Sequence, residues 1–147
     1  MSATRDFSAR GIVTPMAQDL PDALRLREIK YGAKTTAEER TAVARQFLEA
    51  GSLAEALDLF LIVGDEKGIR QIRLKAIEQG RPALLLMLVR AEREVTLEEW
   101  RNAGEAARRA DRPREAFRCF AMANDEAALE DLRSELPDYE IYIPQGK

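Results

Sequence analysis

The sequence overlays on itself without a gap when it is shifted by sixty residues. Thr36 falls on Thr96, Glu38-Glu39 on Glu98-Glu99, Ala50 on Ala110 and Glu55-Ala56 on Glu115-Ala116. Phe60 then meets Phe120, Asp65-Glu66 meets Asp125-Glu126, Arg73 meets Arg133, and Ile69 and Ile72 meet Leu129 and Leu132. A weaker copy lies between them, where Gly80-Arg81-Pro82 takes the place of Gly51-Ser52-Leu53 and Asp111-Arg112-Pro113. The underlying unit is therefore about thirty residues, the length of one helical hairpin. One hairpin cannot bury its apolar face alone, whereas stacked neighbours can, so a period of this size points to a solenoid.

The clearest copy runs from Thr96 to Asp125. Trp100, Ala103, Gly104 and Ala107 fall on one helical face, and Ala116, Phe120 and Ala123 on a second. Thr96-Leu97-Glu98-Glu99 is a capping box, in which the threonine hydroxyl accepts from the Glu99 N–H and the Glu99 carboxylate accepts from the Thr96 N–H; Thr36-Ala37-Glu38-Glu39 repeats it. Periodicity and stop signals predict helices over 21–31, from Thr36 to the stop at Gly51, and over 53–63, 66–79, 96–110, 113–122 and 125–134, with a further one opening at Pro82. In the first helix Leu20, Leu24, and Ile29 or Tyr31 are expected to face inward, with Gly32 ending it. Leu84 to Val89 is apolar on every side, which predicts burial on both faces in the middle of the array; a dimer surface is the alternative.

Residues 1–19 read as a mobile arm, or as a docking segment using Phe7, Ile12, Val13 and Met16. Residues 137–147 read as an extended tail in which Tyr139, Ile141 and Ile143 alternate with Glu140 and Tyr142. Either the tail folds back to cover the last hairpin, or Tyr139, Ile141, Tyr142 and Ile143 offer a strand to a partner. The organisation expected is an arm, a helical repeat domain over 20–136 and a tail.

The hairpins reach a family through their residues. Trp100-x2-Ala103-Gly104-x2-Ala107 followed by Ala116-x3-Phe120-x2-Ala123 resembles the W-x2-L-G-x2-Y and A-x3-F pattern of tetratricopeptide repeats. The copy at Val43-Ala44-x2-Phe47, Gly51 and Ala56-x3-Phe60 is looser, and the middle copy, with Ile69, Ile72, Ala76, Leu85 and Val89, departs furthest. The proline that usually closes each repeat is missing, and the unit is shorter than the family's, which is about 34 residues. The resemblance covers roughly residues 36–134. It implies an all-α fold, a right-handed α-solenoid of about three antiparallel helix hairpins with flanking N- and C-terminal helices.

Composition narrows the chemistry. The 147 residues suffice for one domain with a core. A net charge of -3 gives no global basic field, so nucleic acid is not expected as a partner. There is no histidine and a single cysteine, Cys119, which removes histidine-based triads, the usual zinc ligands and an internal disulfide. Cys119 is expected to be an inert half-buried thiol, and Trp100 a packing residue between hairpins. The acidic pairs Glu38-Glu39 and Glu98-Glu99 complement helix dipoles better than they suggest metal ligands. No signal peptide or membrane span is read, so a cytoplasmic protein is expected. No catalytic, cofactor or metal site is found, and no enzyme is expected.

What remains is surface. In tetratricopeptide-like arrays the first helix of each hairpin lines the concave face, which places Arg45, Arg70, Arg101, Arg108 and Arg109 there with Glu49 and Glu105 interspersed. Arginines so placed bind carboxylates by bidentate hydrogen bonds. A solvated face with i,i+4 pairs such as Glu105–Arg109 is the alternative. The Lys, Asn and Arg set that grips chaperone C-termini in this family is not found, because Thr41, Gln71 and Glu98 stand at the matching places. The expected function is a protein–protein interaction adaptor for an acidic peptide or partner, monomeric or weakly self-associating. The alternative is a self-assembling accessory subunit that uses the helix opening at Pro82 or the tail.

Overall fold

The computed structural model describes residues 20–135, and among them every regular element is a helix. There are eight: α1 Ala23–Tyr31, α2 Ala37–Glu49, α3 Leu53–Val63, α4 Glu66–Gln79, α5 Pro82–Arg90, α6 Leu97–Arg109, α7 Pro113–Met122 and α8 Glu126–Glu135. The arm over 1–19 and the tail with Tyr139, Ile141, Tyr142 and Ile143 lie outside the described residues. The chain divides into two compact units, one ending at Arg70 and the other beginning at Gln71, inside α4.

Local chemistry starts these helices where the spacing predicts, except that α1 begins at Ala23, after Asp22 caps it by accepting the Arg25 N–H, and leaves Pro21 outside its first turn. Both capping boxes form: the Glu39 N–H donates to Thr36 Oγ1 at 3.1 Å and the Thr36 N–H to Glu39 Oε1 at 2.9 Å, with the matching bonds at Thr96 and Glu99 of 3.1 and 3.0 Å. Asp65 and Asp125 cap α4 and α8 by accepting the N–H of Gly68 and Ala128. Pro82 and Pro113 occupy first turns, where a missing N–H costs nothing.

Six of the eight helices end in one way. A residue turns left-handed, and the N–H after it reaches back to the carbonyl five residues earlier. The left-handed residues are Gly51, Gly64, Gly80, Glu92, Asp111 and Asn124, and the closing donors are Ser52, Asp65, Arg81, Arg93, Arg112 and Asp125, all at 2.9–3.0 Å. These ends fall at 51, 64, 80, 92, 111 and 124. Gly51 and Asp111, and Gly64 and Asn124, are sixty residues apart, as the shift of the sequence predicts.

In the first unit α2 packs on α3, burying Ala44, Phe47, Leu53, Ala56, Leu57 and Phe60. In the second, α6 packs on α7, and Ala107, Ala116, Phe117 and Phe120 join Ala128, Leu129 and Leu132 of α8 in one cluster. Trp100 is buried, as its packing role requires. The equivalent phenylalanines are seated differently. A Cβ at Gly104, on the helix before, would lie 2.6 Å from the Phe120 ring, whereas for Phe60 the yielding residue is Gly68, on the helix after, at 2.5 Å.

Two sequence expectations are corrected. Leu24 and Tyr31 do not face inward but are 81% and 69% exposed, and Ile29 is the only residue of α1 that is buried. α1 is short, and what holds it is largely polar: Arg40 donates from Nε to the Ile29 carbonyl at 2.8 Å and from Nη2 to the Gly32 carbonyl at 2.9 Å, and Lys30 pairs with Asp58 at 2.5 Å. Nor is α5 buried all round. Leu84, Leu85 and Leu88 are buried, while Leu86 and Met87 are half-buried and Val89 is exposed.

Candidate functional site

The arginines expected on one face fall into two sets. In the first unit, Arg45 on α2 directs Nη2 to Asp65 Oδ2 at 3.6 Å, and its guanidinium lies 5.2 Å from the centre of the Phe60 ring. Asp65 uses its other oxygen to cap α4. In the second unit, Arg101 on α6 donates from Nε to Asp125 Oδ2 at 3.2 Å, and Asp125 caps α8 with its other oxygen. The two aspartates are equivalent under the sixty-residue shift, but the arginines are not. Thr41 stands at the place of Arg101, and Arg45 lies one turn further along its helix.

Arg108 pairs with Glu135 of α8. That hydrogen bond, aided by the fields of Glu135, Glu105 and Asp131 and opposed by partial desolvation, holds its guanidinium above its ordinary pKa, so it is a fixed charge. Arg70 on α4 and Arg109 on α6 are different. Both are exposed, and neither has an ion-pair or hydrogen-bond partner among the described residues. The i,i+4 pair expected between Glu105 and Arg109 is not made; Glu105 acts on Arg108 instead. Arg101, Arg108 and Arg109 thus share α6, while Arg45 and Arg70 belong to the other unit.

Several other arginines, which the spacing did not single out, are structural. Arg73 Nη1 donates both to the Glu94 carbonyl and to Glu99 Oε1, each at 2.9 Å, and so pins the second capping box. Arg112 donates to the carbonyls of Gln79 and Gly80, neutralising the C-terminal end of α4. Arg133 pairs with Glu130 and lies 5.5 Å from the centre of the Phe117 ring. The only sequence signal for these roles was the match of Arg73 with Arg133, and it carried no partner.

Cys119 is buried rather than half-buried. Desolvation pushes its thiol up to about 12, with Arg118 the main opposing charge, so it is neutral and unreactive in the folded chain. Among the described residues no group of three or more Cys, Asp or Glu side chains could hold a metal ion, and no helix is long and apolar enough to cross a membrane. No protein-family model, curated protein or solved structure matches this chain.

Proposed function

We propose that this chain is a non-enzymatic protein–protein interaction adaptor: a right-handed solenoid of tetratricopeptide-like hairpins, cytoplasmic, whose arginine-bearing first helices take an acidic peptide or the acidic surface of a partner. Two separate observations support the reading, Arg70 in the first unit and Arg109 in the second. Each is an exposed guanidinium on the first helix of a hairpin, with no carboxylate of its own among the described residues. A guanidinium presents a planar fork of donors that matches a carboxylate in two parallel hydrogen bonds. Arg101 and Arg108 supply supporting charge beside Arg109 on α6. Glu135, the partner of Arg108, is half exposed, where an ion pair is worth little, so an incoming acidic group can share Arg108 at small cost, whereas Asp125, the partner of Arg101, is largely buried. The helices are closed by backbone and capping bonds at both ends, so the receptor side is ordered before the partner arrives.

The experiment is affinity capture from lysate of the source organism with mass spectrometry, on three proteins. These are wild type, Arg70→Glu/Arg109→Glu, and a chain ending at Leu136. A partner held by wild type and by the truncated chain, but lost by the folded double variant, is the expected result. A partner lost only on truncation moves the function to the tail and removes the arginines as the site.

A second reading, a self-assembling accessory subunit, is favoured by α5, where Val89 is exposed beside the half-buried Leu86 and Met87. Sedimentation separates the two: the adaptor is monomeric alone, whereas the subunit is an oligomer that Val89→Glu dissociates.

A further inference from the structure

The first and the last described helices are fastened by different means. α8 buries Ala128, Leu129 and Leu132 in the cluster with Phe117 and Phe120. α1 buries Ile29 alone and leaves Leu24 and Tyr31 exposed. The rest of its hold is polar and falls in its last turn and cap. Arg40 of α2 donates from Nε to the Ile29 carbonyl at 2.8 Å and from Nη2 to the Gly32 carbonyl at 2.9 Å. These acceptors sit at the C-terminal end of α1, where a helix leaves carbonyls unused and a cation is favourable. Lys30 pairs with Asp58 of α3 at 2.5 Å. A nine-residue helix does not persist by itself in water, so α1 exists only while this hold lasts. The hairpin beneath it is held otherwise: α2 packs on α3, and Phe47, Leu57, Leu59 and Phe60 are buried there.

We propose that α1 is a strap that releases from α2 and α3 while that hairpin stays folded, and that in its closed state it masks Arg40. An element with few buried apolar contacts is the one that opens locally, ahead of the rest. The release is also confined in what it breaks: the burial of one isoleucine, two hydrogen bonds and one ion pair. Asp58 is already 37% exposed, and the freed carbonyls pass into water with α1, so no buried polar group is left without a partner. The masking rests on the hydrogen bonds themselves. Among the described residues, both acceptors of the Arg40 guanidinium belong to the end of α1 and its cap. While α1 is docked, that fork is engaged by backbone. Once α1 lets go, α2 presents a guanidinium whose donors suit a carboxylate. Arg101 and Arg108 differ in this respect, because their acceptors are side-chain carboxylates. The strap stands whether or not Arg70 and Arg109 take a partner.

Two measurements on the full chain test the strap and the mask. Hydrogen exchange followed by mass spectrometry compares wild type, Ile29→Ser and Arg40→Met. In wild type the amides of residues 27–31 are expected to be protected, yet to exchange at least tenfold faster than those of α2 and α3. Both variants are expected to speed α1 at least tenfold again and to leave α2 and α3 unchanged, which also shows that the variants are folded. Equal rates in α1, α2 and α3, an α1 with no protection in wild type, or an α1 that neither variant speeds overturns the strap. The second measurement is the binding of a poly-glutamate peptide at low salt. Ile29→Ser keeps every charge and is expected to bind at least threefold more tightly than wild type, and Ile29→Ser/Arg40→Met to lose that gain. All these proteins keep Arg70 and Arg109, so the gain reports on Arg40 and not on the partner site proposed above. No gain in Ile29→Ser, or a gain that survives Arg40→Met, overturns the mask.

Discussion

Gly80 meets two demands at once. Its φ of +64° is a left-handed conformation, and a Cβ built there would lie 2.4 Å from the Ala107 backbone nitrogen. Gly51 has a φ of +84° but open space around it. Gly80→Ala is therefore expected to cost about 3 kcal/mol, from strain and overpacking together, and Gly51→Ala about 1 kcal/mol, from strain alone. Thermal or denaturant unfolding of the two variants measures the difference. The converse change belongs to Glu92, which adopts a φ of 63° on an exposed turn. Glu92→Gly is expected to stabilise the protein by about 1 kcal/mol. Cys119 gives a pH dependence with a definite sign. Its folded pKa of about 12 lies above its ordinary 9.0, so as pH rises the unfolded chain loses the thiol proton first. The stability of wild type relative to Cys119→Ala is then level below pH 9 and falls by about 1.4 kcal/mol per unit between 9 and 12. A difference that stays flat through that window would mean the thiol is solvated.

At the scale of elements, the capping boxes are equivalent in sequence and unequal in place. Glu39 serves the Thr36 N–H, whereas Glu99 serves the Thr96 N–H and Arg73 as well. Glutamine keeps the capping-box acceptor and removes the charge. Glu99→Gln is accordingly expected to cost about 1 kcal/mol more than Glu39→Gln, because the helix-dipole loss is common to both and only the former abandons a half-buried arginine. Denaturant midpoints of the two variants check this. Helix positions were legible because start and stop signals are local: a threonine with a glutamate three residues on, a proline in a first turn, a glycine at an end. The partner of an arginine is not local. Arg45 and Arg101 reach aspartates twenty and twenty-four residues away, and no spacing rule selects those over Glu49 or Glu105. α1 misled for the opposite reason. Leu24, Ile29 and Tyr31 are apolar, but a nine-residue helix held by Arg40 and Lys30 buries only Ile29, so apolar character did not decide which side chains turned inward.

For the molecule as a whole, the two units carry the same hairpin chemistry, and the sixty-residue shift relates their capping boxes, their aspartate caps and their left-handed helix ends. The units differ both in their cores, where Phe47 and Leu57 stand at the places of Ala107 and Phe117, and in their surface arginines: Arg45 and Arg70 in one, Arg101, Arg108 and Arg109 in the other. The measurement that tests the arginine reading most directly is the affinity of the captured partner for wild type and for Arg70→Glu/Arg109→Glu, by calorimetry at two salt concentrations, with both proteins first shown to unfold at the same temperature. Binding is expected to be at least tenfold weaker in the variant, with a shallower salt dependence, because two charged contacts are gone. Equal affinity and an equal salt slope would contradict it, and would take the arginines out of the function altogether.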